Sequence, residues 1–335
     1  MIVEATTPTR IDFAGSTLDL YPLYLFVGGG ITVNAAVDLY CTVRVETRSD
    51  PKILLRSLDR NEELVASSVE QLPMDQELSL VARVVKSYPP KTGVNVITKS
   101  SAPQGSGIGA SSSLLIALSG AMDRINGTSL DPSSFVEYGA NIEAQVIAIP
   151  TGKQDYLAAL YGSVNAFHFG VRGWRRERLI TDLGKLRQFE ERIVLSFTGE
   201  SHFSGTNNWV MIKNFVENAS GSRHSMYGIQ GTAERMREAV LDFDLGRVAE
   251  LLDEEWESRK QLADGVTTAR IDRLMEAAKQ GGGLASKIMG AGGGGCMITI
   301  AESGRRQGVE AALEDAGATV LPFRIAREGL SVREL

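Results

Sequence analysis

Cysteine and histidine are scarce in this chain of 335 residues. It has two cysteines, Cys41 and Cys296, and three histidines, His168, His202 and His224. Two cysteines cannot build a disulfide framework, and the scattered histidines show no spacing typical of a metal site. The sequence therefore predicts neither a disulfide-stabilised fold nor a zinc centre.

A basic surface and a long apolar segment are also lacking. The formal net charge is −6, whereas proteins that bind the phosphate backbone of nucleic acids usually have a basic face. The most apolar stretch, residues 20–37, is interrupted by Pro22, Asn34 and three consecutive glycines, and the first residues show no signal-peptide pattern. We therefore expect a cytoplasmic protein with neither nucleic acid nor a membrane as its partner.

Length and composition favour two folded lobes. Hydrophobic residues make up 43% and charged residues 23% of the chain, which is ordinary for a globular protein. A chain of this length is long for a single hydrophobic core. β-Branched residues between turn signals predict strands at residues 2–5, 31–36, 41–47, 53–57 and 94–97.

Helices and strands alternate in the rest of the chain, which predicts the α+β class. Apolar residues at helical spacing predict helices at residues 111–125, 132–147, 156–161, 206–216, 230–242, 246–262, 268–280 and 304–316. Further strands are predicted at residues 193–197, 284–289, 296–301 and 319–325. The polar segment 170–192 is expected to connect the two lobes.

The most informative segment is residues 101–113, where Gly105, Gly107 and Gly109 precede three serines and an apolar helical pattern. Glycine lets a backbone bend tightly and approach a ligand closely. The beginning of a helix offers free N–H groups and a positive dipole end, which favour a phosphate. Serine hydroxyls add oxygen ligands of the kind that Mg²⁺ prefers. The segment therefore predicts a nucleotide-phosphate loop.

Two alternatives remain for this segment, a dinucleotide-binding loop and a plain flexible turn. The letters GSGIGA also fit the pattern G-x-G-x-x-G/A, which arises by chance. A dinucleotide loop should follow directly from a strand and be followed by an acidic ribose ligand. Here seven residues separate the predicted strand 94–97 from Gly105, and the next carboxylate, Asp123, lies on the predicted helix. These features favour the phosphate loop.

A second glycine-rich run covers residues 290–295, where five of six residues are glycine. A predicted strand follows it rather than a helix, which excludes a dinucleotide fingerprint and indicates a turn between two strands. So many glycines cost backbone entropy on folding. Close approach to a ligand or to the first lobe would justify them.

Two carboxylates stand out beside these glycines. Glu143 shares one helix face with Val136, Ala140 and Ile147, and burial there requires a partner or a metal. The alternative is a glutamate at the edge of the helix that extends to solvent.

Asp155 opens the predicted helix 156–161. It is either an N-cap or, with Lys153 beside it, a group that takes a proton from a hydroxyl.

Three separated segments resemble the motifs of the GHMP kinases, the family of galactokinase, homoserine kinase, mevalonate kinase and phosphomevalonate kinase. They are residues 8–19 (PTRIDFAGSTLD), 103–113 and 287–295, and they occur in the family order over nearly the whole length. The resemblance implies a ribosomal-protein-S5-like N-terminal lobe over residues 1–184 and a ferredoxin-like C-terminal lobe over residues 190–335. ATP and the acceptor would bind between them.

The resemblance also implies a role for individual residues. Asp155 matches the catalytic aspartate and Arg10 its basic partner. The residues expected to surround the ATP phosphates are Pro103, Gly105, Ser106, Gly107, Ile108, Gly109, Ala110, Ser111, Ser112, Gly292 and Gly293. Ser111, with Ser112 as the alternative, is expected to hold Mg²⁺ together with Glu143. The residues expected to contact the acceptor are Asp12, Thr17, Asp19, Gly152, Lys153 and Gly293.

The acceptor is expected to be a sugar or sugar phosphate, because Asp19 matches the position that binds sugar hydroxyls in galactokinase. The chain resembles the branch of the D-glycero-D-manno-heptose 7-phosphate kinases, which phosphorylate an anomeric hydroxyl. Its GSTLD at residues 15–19 departs from the GEHTD of galactokinase and from the GGGTD usual in heptose kinases.

Two further stretches of the sequence each have two interpretations. Residues 198–209 resemble a segment of the heptose-kinase-like branch, or they form a loop with Thr206 as a helix cap. Four arginines in the connecting segment could receive a substrate phosphate, although a charge run is more often a solvated surface. They are Arg172, Arg175, Arg176 and Arg178.

Two other functions remain as alternatives. One is a kinase of the same family for a non-sugar alcohol such as mevalonate, and the other is a non-catalytic sugar-binding relative. The sequence leaves a monomer and a homodimer equally open.

Overall fold

The first of two sheets has eight strands, in a computed structural model that describes residues 1–201 and 204–335. Its strands are β1 (Ile2–Ala14), β2 (Gly30–Thr47), β3 (Ile53–Ser57), β4 (Glu62–Ala66), β5 (Val94–Ser100), β6 (Val164–Gly170), β7 (Gly173–Arg178) and β12 (Ser331–Glu334). The order is β12-β1-β2-β5-β3-β4, with β6 paired to β2 and β7 to β6. The pairing of β3 with β5 is parallel and the other pairings are antiparallel.

Five helices belong to this part of the chain. They are α1 (Leu23–Phe26), α2 (Ser79–Ser87), α3 (Ala110–Asn126), α4 (Pro132–Ile147) and α5 (Gln154–Tyr161). Asp131 caps α4 by accepting a hydrogen bond from the Ser133 amide, with Pro132 at the first helical position, as the sequence predicts. Helix α3 packs across β1 and β2, so its N-terminus is fixed relative to the strand that carries Arg10.

The second sheet has four antiparallel strands in the order β11-β8-β10-β9. They are β8 (Ile193–Phe197), β9 (Gly283–Ile288), β10 (Cys296–Ala301) and β11 (Thr319–Val320). Its helices are α6 (Leu183–Glu191), α7 (Ser204–Glu217), α8 (Ser222–Asp242), α9 (Leu245–Lys260), α10 (Ala269–Gln280) and α11 (Arg306–Asp315). In the described part of the chain, no helix has the length and apolar character needed to cross a membrane.

A shared hydrophobic core joins the two sheets. Ile11 and Phe13 of β1 lie in one buried cluster with Leu195 of β8 and Ile298 of β10. The Phe13 ring packs against Phe189 with centroids 5.1 Å apart. The first motif is therefore held between the lobes.

The structure corrects several predicted elements. The predicted strand 2–5 continues to Ala14, and the predicted strands 31–36 and 41–47 are one strand. Most of these residues are buried on both faces, so the apolar–polar alternation that marks a half-buried strand is lost. The segment 170–192 is more than a connection, since it contains β7 and α6. Of the predicted strand 319–325, only Thr319–Val320 forms a regular strand, and Ile325 makes an isolated bridge to Val37. The division near residue 190 stays a prediction.

Candidate active site

A cavity of about 510 Å³ lies where the first motif, the phosphate-loop segment and the second glycine-rich run meet. Arg10, Asp19, Glu143 and Asp155 all line it. The sequence places these four side chains far apart, and the fold brings them to one site.

Residues 103–109 form a tight loop that leads into α3, which begins at Ala110. Gly105, Gly107 and Gly109 have φ values of +67°, +69° and +77°, in the left-handed region that glycine adopts without strain. A Cβ on Gly109 would lie 2.9 Å from Cβ of Asp155, so a larger residue would displace that aspartate. Ile108 points into the core instead of lining the cavity. The loop therefore presents backbone and the N-terminus of α3 to the cavity.

The second glycine-rich run packs directly on this loop. The amide of Cys296 donates to the carbonyl oxygen of Ser106 at 2.7 Å, which confirms the expected close approach to the first lobe. Gly290 and Ala291 line the cavity, whereas Gly292 and Gly293 do not. The Gly293 amide donates to the Val266 carbonyl oxygen at 2.7 Å.

Glu143 is nearly buried and faces inward, so the helix-edge interpretation was wrong. The hydroxyls of Ser111, Ser112 and Tyr156 all donate to its two carboxylate oxygens, with 3.0 Å for Ser112. Burial raises the pKa of Glu143 despite the hydrogen bonds from Ser111 and Tyr156. Within the described ranges, no group of three or more His, Cys, Asp or Glu residues could hold a metal ion.

Sequence reasoning missed Tyr156, whose hydroxyl donates to Glu143 Oε2, the oxygen that Ser112 also contacts. The residue is fully buried on α5. A buried tyrosine hydroxyl usually has a hydrogen-bond partner. A tyrosine on an apolar helix face next to Asp155 could therefore have indicated a polar partner nearby.

Asp155 and Arg10 form an ion pair in the cavity wall. Arg10 Nε donates to Asp155 Oδ1 at 2.6 Å, and its Nη1 donates to the Gly107 carbonyl oxygen at 2.7 Å. The N-cap of α5 is Lys153, so Asp155 is not the helix cap. Burial raises the pKa of Asp155, although the Arg10 charge opposes the shift. The carboxylate is therefore held by the guanidinium and directed toward the cavity.

Asp19 lies on the same side of the cavity as Asp155. Its Oδ2 accepts a hydrogen bond from the Gln154 amide at 2.9 Å. A Cβ on Gly152 would lie only 2.2 Å from that oxygen, which explains the glycine there. Burial, with a smaller contribution from the Asp155 charge, raises the pKa of Asp19 to about 6 against the hydrogen bond from Gln154.

Three of the residues predicted to contact the acceptor are not in the cavity wall: Asp12, Lys153 and, as described above, Gly293. Asp12 is fully buried and bonds Lys287, and the Lys153 ammonium pairs with Glu137 at 2.6 Å. Their assignment as acceptor contacts therefore finds no support in the geometry, whereas Thr17, Asp19 and Gly152 do line the cavity.

The connecting arginines are remote from this cavity. Arg176 lies over the Tyr161 ring at 4.7 Å, and Arg178 Nε donates to Ser163 at 3.0 Å. Arg172 and Arg175 border a second cavity of about 430 Å³ with His168 and Trp174. All four arginines therefore belong to the hairpin of β6 and β7 and not to the proposed active site.

Asn208 is the residue of the stretch 198–209 for which the structure shows a place in the cavity wall. His202 and Phe203 lie outside the described residues, and so does the side chain of Thr206. The proposed cap at Thr206 is therefore not described. Helix α7 begins at Ser204.

Comparison with known proteins adds two family models. The model described as the GHMP kinases N terminal domain matches residues 78–163, and the one described as GHMP kinases C terminal matches residues 236–319. The first match contains the phosphate loop, Glu143 and Asp155, and the second contains the glycine-rich run.

Individual relatives match over almost their whole length. A D-glycero-alpha-D-manno-heptose 7-phosphate kinase from Campylobacter jejuni is 28% identical, with 98% of each chain covered. A mevalonate kinase from Thermococcus sibiricus is 26% identical over 100% of this chain and 99% of its own. The crystal structure of a D-glycero-D-manno-heptose 1-phosphate kinase from Bacteroides thetaiotaomicron has a TM-score of 0.79 at 22% identity, with 99% of each chain covered.

That structural likeness, at its low identity, shows the fold. It agrees with the two sheets and their helices described above. The family is shown by the two family models, which together match just over half of the chain and contain the phosphate loop, Glu143 and Asp155: this protein belongs to the GHMP kinases.

Proposed function

We propose that the protein is an ATP-dependent kinase that phosphorylates a sugar, at the anomeric hydroxyl of a heptose phosphate or a related sugar. One observation carries the proposal: the Asp155–Arg10 pair, Asp19 and the glycine loop line one cavity. Phosphoryl transfer needs such a site, because catalysis there is mostly positioning and charge stabilisation. The relatives named as heptose phosphate kinases support the choice of acceptor.

The nucleotide phosphates would lie against the glycine loop and the N-terminus of α3. The loop exposes backbone without Cβ atoms, and the helix N-terminus favours negative charge. The contacts predicted for Gly292 and Gly293 remain predictions, and Gly290 and Ala291 are the residues of that run placed at the cavity.

Ser111 and Glu143 would hold Mg²⁺. Their hydroxyl and carboxylate oxygens form the hard, oxygen-only donor set that Mg²⁺ prefers. A bound Mg²⁺ supplies charge neutralisation of the phosphate oxygens. Glu143 is held in place for that role because Ser112 and Tyr156 both donate to its Oε2, while Ser111 donates to its Oε1.

The acceptor hydroxyl would lie against the Asp155 carboxylate. Its oxygen forms a bond to the γ-phosphorus while the bond from that phosphorus to the β,γ-bridging oxygen breaks, and its proton passes to Asp155. Arg10 would stabilise the charge that develops on the transferred phosphoryl oxygens. Two timings are open. Asp155 either takes this proton before the phosphoryl group is transferred, or it first only orients the hydroxyl and takes the proton as the bond to phosphorus forms.

Asp19 favours a sugar over a mevalonate-type alcohol. A buried carboxylate that lines the acceptor side can accept hydrogen bonds from the hydroxyls of a polyol. Mevalonate has a single hydroxyl besides the one that is phosphorylated, so it can donate fewer hydrogen bonds to Asp19 than a sugar can.

A substrate screen tests the proposed function. ADP release is measured over aldoses, heptose 7-phosphate, uronic acids, mevalonate and homoserine, and ³¹P NMR identifies the phosphorylated position. We expect release with a sugar and an anomeric phosphate as the product. Turnover of mevalonate or homoserine with no sugar accepted contradicts the proposal, and sugar binding without ADP release indicates the non-catalytic relative.

Removal of a proposed Mg²⁺ ligand is expected to weaken metal dependence. Ser111→Ala and Glu143→Gln should each raise the Mg²⁺ concentration for half-maximal activity by roughly 10–100-fold, the range typical for partners of a metal site. Calorimetric titration of ATP with and without Mg²⁺ checks this independently of turnover. Ser133→Ala, which removes a hydroxyl at the other end of α4, is the matched control. Unchanged metal dependence in both variants would remove these assignments.

Asp19→Asn is expected to raise the KM for the sugar by about 30-fold, since losing a charged acceptor costs roughly 2 kcal/mol. The pKa of about 6 adds a pH signature. Asp19 is charged above that pH and neutral below it, so the wild-type acceptor KM should rise as the pH falls from 7 to 5.

Initial rates at varied sugar and fixed ATP measure this effect, and Asp38→Asn is the control because Asp38 accepts from the Arg324 amide away from the cavity. An acceptor KM for Asp19→Asn within about threefold of wild type would exclude the role, since that is far below the expected cost.

A further inference from the structure

Four fully buried charges lie behind the cavity, between the two lobes. Asp12 is on β1, Lys287 is on β9, and Glu255 and Arg259 are on α9. Lys287 Nζ bonds Asp12 and lies 3.3 Å from Glu255 Oε2, and Arg259 Nη2 donates to Glu255 Oε1 at 2.5 Å. Two carboxylates and two cations balance each other, which makes burial of the group tolerable. None of the four lines the cavity.

The charge cluster forms hydrogen bonds to the loop of residues 15–19, which ends in Asp19. Arg259 Nη2 donates to the Ser16 carbonyl oxygen at 2.7 Å, and Nη1 donates to Thr17 Oγ1 at 3.2 Å. From the other side, the Ser16 hydroxyl donates to Asp12 Oδ2 at 2.6 Å. One guanidinium of the second lobe thus bonds two consecutive residues of the loop in the first.

The same guanidinium also reaches the second glycine-rich run, because Arg259 Nη1 lies 3.5 Å from the Gly290 carbonyl oxygen. Arg10, two residues before Asp12 on β1, has its Nη1 3.5 Å from Asp12 Oδ1. Side chains two apart on a strand share a face, so the cluster contacts both the loop and the residue paired with Asp155.

The loop needs this support because its backbone is strained. Thr17 has a φ of +81°, a conformation that β-branched residues rarely adopt. Such strain persists only where surrounding contacts hold the residue, and it gathers at functional sites. The Thr17 side chain is held by Arg259, and the residue itself lines the cavity.

We propose that the Glu255–Arg259 pair, anchored through Lys287 to Asp12, is a positioning device that holds the 15–19 loop in the conformation that receives the acceptor. Arg259 and Glu255 are positioning residues, since they act through Ser16, Thr17 and Asp19. The inference rests on the proposed function for the identity of the acceptor. A buried ion pair rarely adds stability over apolar residues of similar size, which agrees with a role in geometry rather than in folding.

The test variant replaces both members, Glu255→Met with Arg259→Met. The replacement keeps the volume, leaves Lys287 and Asp12 as a balanced pair, and removes every contact of Arg259 with the loop. The second variant, Arg259→Lys, keeps the charge, but a single ammonium cannot reproduce the fork that spans Ser16 and Thr17. The matched control is Arg306→Met with Glu310→Met, an i,i+4 pair on α11 at 2.7 Å.

The double variant is expected to raise the acceptor KM at least tenfold and to leave the ATP KM within about twofold, and Arg259→Lys should show a smaller rise. The control pair should change neither constant. An unchanged acceptor KM in the folded double variant overturns the inference. An equal rise of both KM values overturns it as well, because it indicates a general loss of structure. If the double variant does not fold, the same two criteria apply to Arg259→Lys.

Hydrogen–deuterium exchange separates this inference from the proposed function, since it needs no substrate. In the loop, the Leu18 and Leu20 amides donate to the carbonyl oxygens of Gly15 and Thr17 at 3.0 and 3.2 Å. We expect at least tenfold faster exchange in a peptide covering residues 15–20 of the double variant and no change in the control. Unchanged exchange overturns the inference even when the enzyme is a sugar kinase. If the wild type accepts no sugar, the proposed function fails and exchange alone decides about the loop.

Discussion

Asp155→Asn should lower kcat by about 10²–10⁴-fold, the usual contribution of a general base or orienting carboxylate. Asparagine has the same shape and its oxygen can still accept the hydrogen bond from Arg10 Nε, which measures 2.6 Å in the native pair. An amide cannot take the proton of the acceptor hydroxyl. The variant is therefore expected to fold and to bind ATP, and to lose the chemical step. Single-turnover kinetics and the melting temperature, measured side by side, check this.

The pH dependence of kcat gives this prediction a second readout. Burial raises the pKa of Asp155, so its carboxylate is protonated at a higher pH than an ordinary aspartate. The kcat of the wild type should fall as the pH is lowered through that pKa. The residual kcat of the asparagine variant should not show this fall, because it has no carboxylate to protonate.

Asp182→Asn is the matched control for Asp155→Asn. Asp182 caps α6 by accepting from the Lys185 amide at 2.8 Å, away from the cavity, and asparagine caps a helix about as well. Its kcat should equal that of the wild type. A kcat for Asp155→Asn within about threefold of wild type, well short of the expected range, would place the chemistry elsewhere.

Arg10→Lys should lower kcat by about 10²–10³-fold, the typical loss when one donor to a developing charge is removed. The guanidinium donates to Asp155 at 2.6 Å and to the Gly107 carbonyl oxygen at 2.7 Å, so it joins the proposed base to the phosphate loop. Lysine keeps the positive charge beside Asp155 but cannot span both partners. The effect should therefore appear in kcat more than in the acceptor KM.

Steady-state kinetics with both substrates varied measure the change. Arg48→Lys provides the control, because Arg48 also pairs with an aspartate: its Nε and Nη2 donate to Asp50 at 2.5 and 2.8 Å, just after the end of β2 and away from the cavity. That variant should keep its kcat. A kcat for Arg10→Lys close to that of Arg48→Lys would show that Arg10 only supports the loop.

The parts of the site that could be predicted are those that depend on local sequence patterns. Gly105, Gly107 and Gly109 ahead of a helix predict a tightly bent loop, and their φ values of +67°, +69° and +77° confirm it. Glu143 on an apolar helix face predicts a buried carboxylate with partners, and Ser111 and Ser112 are two of those partners. The helices after residue 110 were predictable as well, because their apolar residues recur at the helical period of about 3.6 residues.

What the sequence could not give depends on contacts between distant residues. Asp12 lies two residues from Arg10, and its type and position suit a substrate contact equally well. In the fold, however, it forms a buried ion pair with Lys287, 275 residues away. Neither the cavity nor the charge cluster has a local signature, because each side chain comes from a different element. Strand β1 was truncated in the prediction because burial on both faces removes alternation.

Strand β12 pairs with β1 through Val3–Glu334 and Thr6–Ser331, although every strand of the second sheet lies before it in the chain. In topological terms, the second sheet is an insertion within the first. A single cleavage near residue 190 therefore cannot release two complete lobes. The N-terminal fragment would lose its outermost strand and expose the backbone N–H and C=O groups of β1, which invite pairing with another chain. Because of this connectivity, the first sheet is the first to begin folding and the last to be completed as the chain is made. Strand β1, which carries Arg10, is paired on both edges only after β12 has been added beside it.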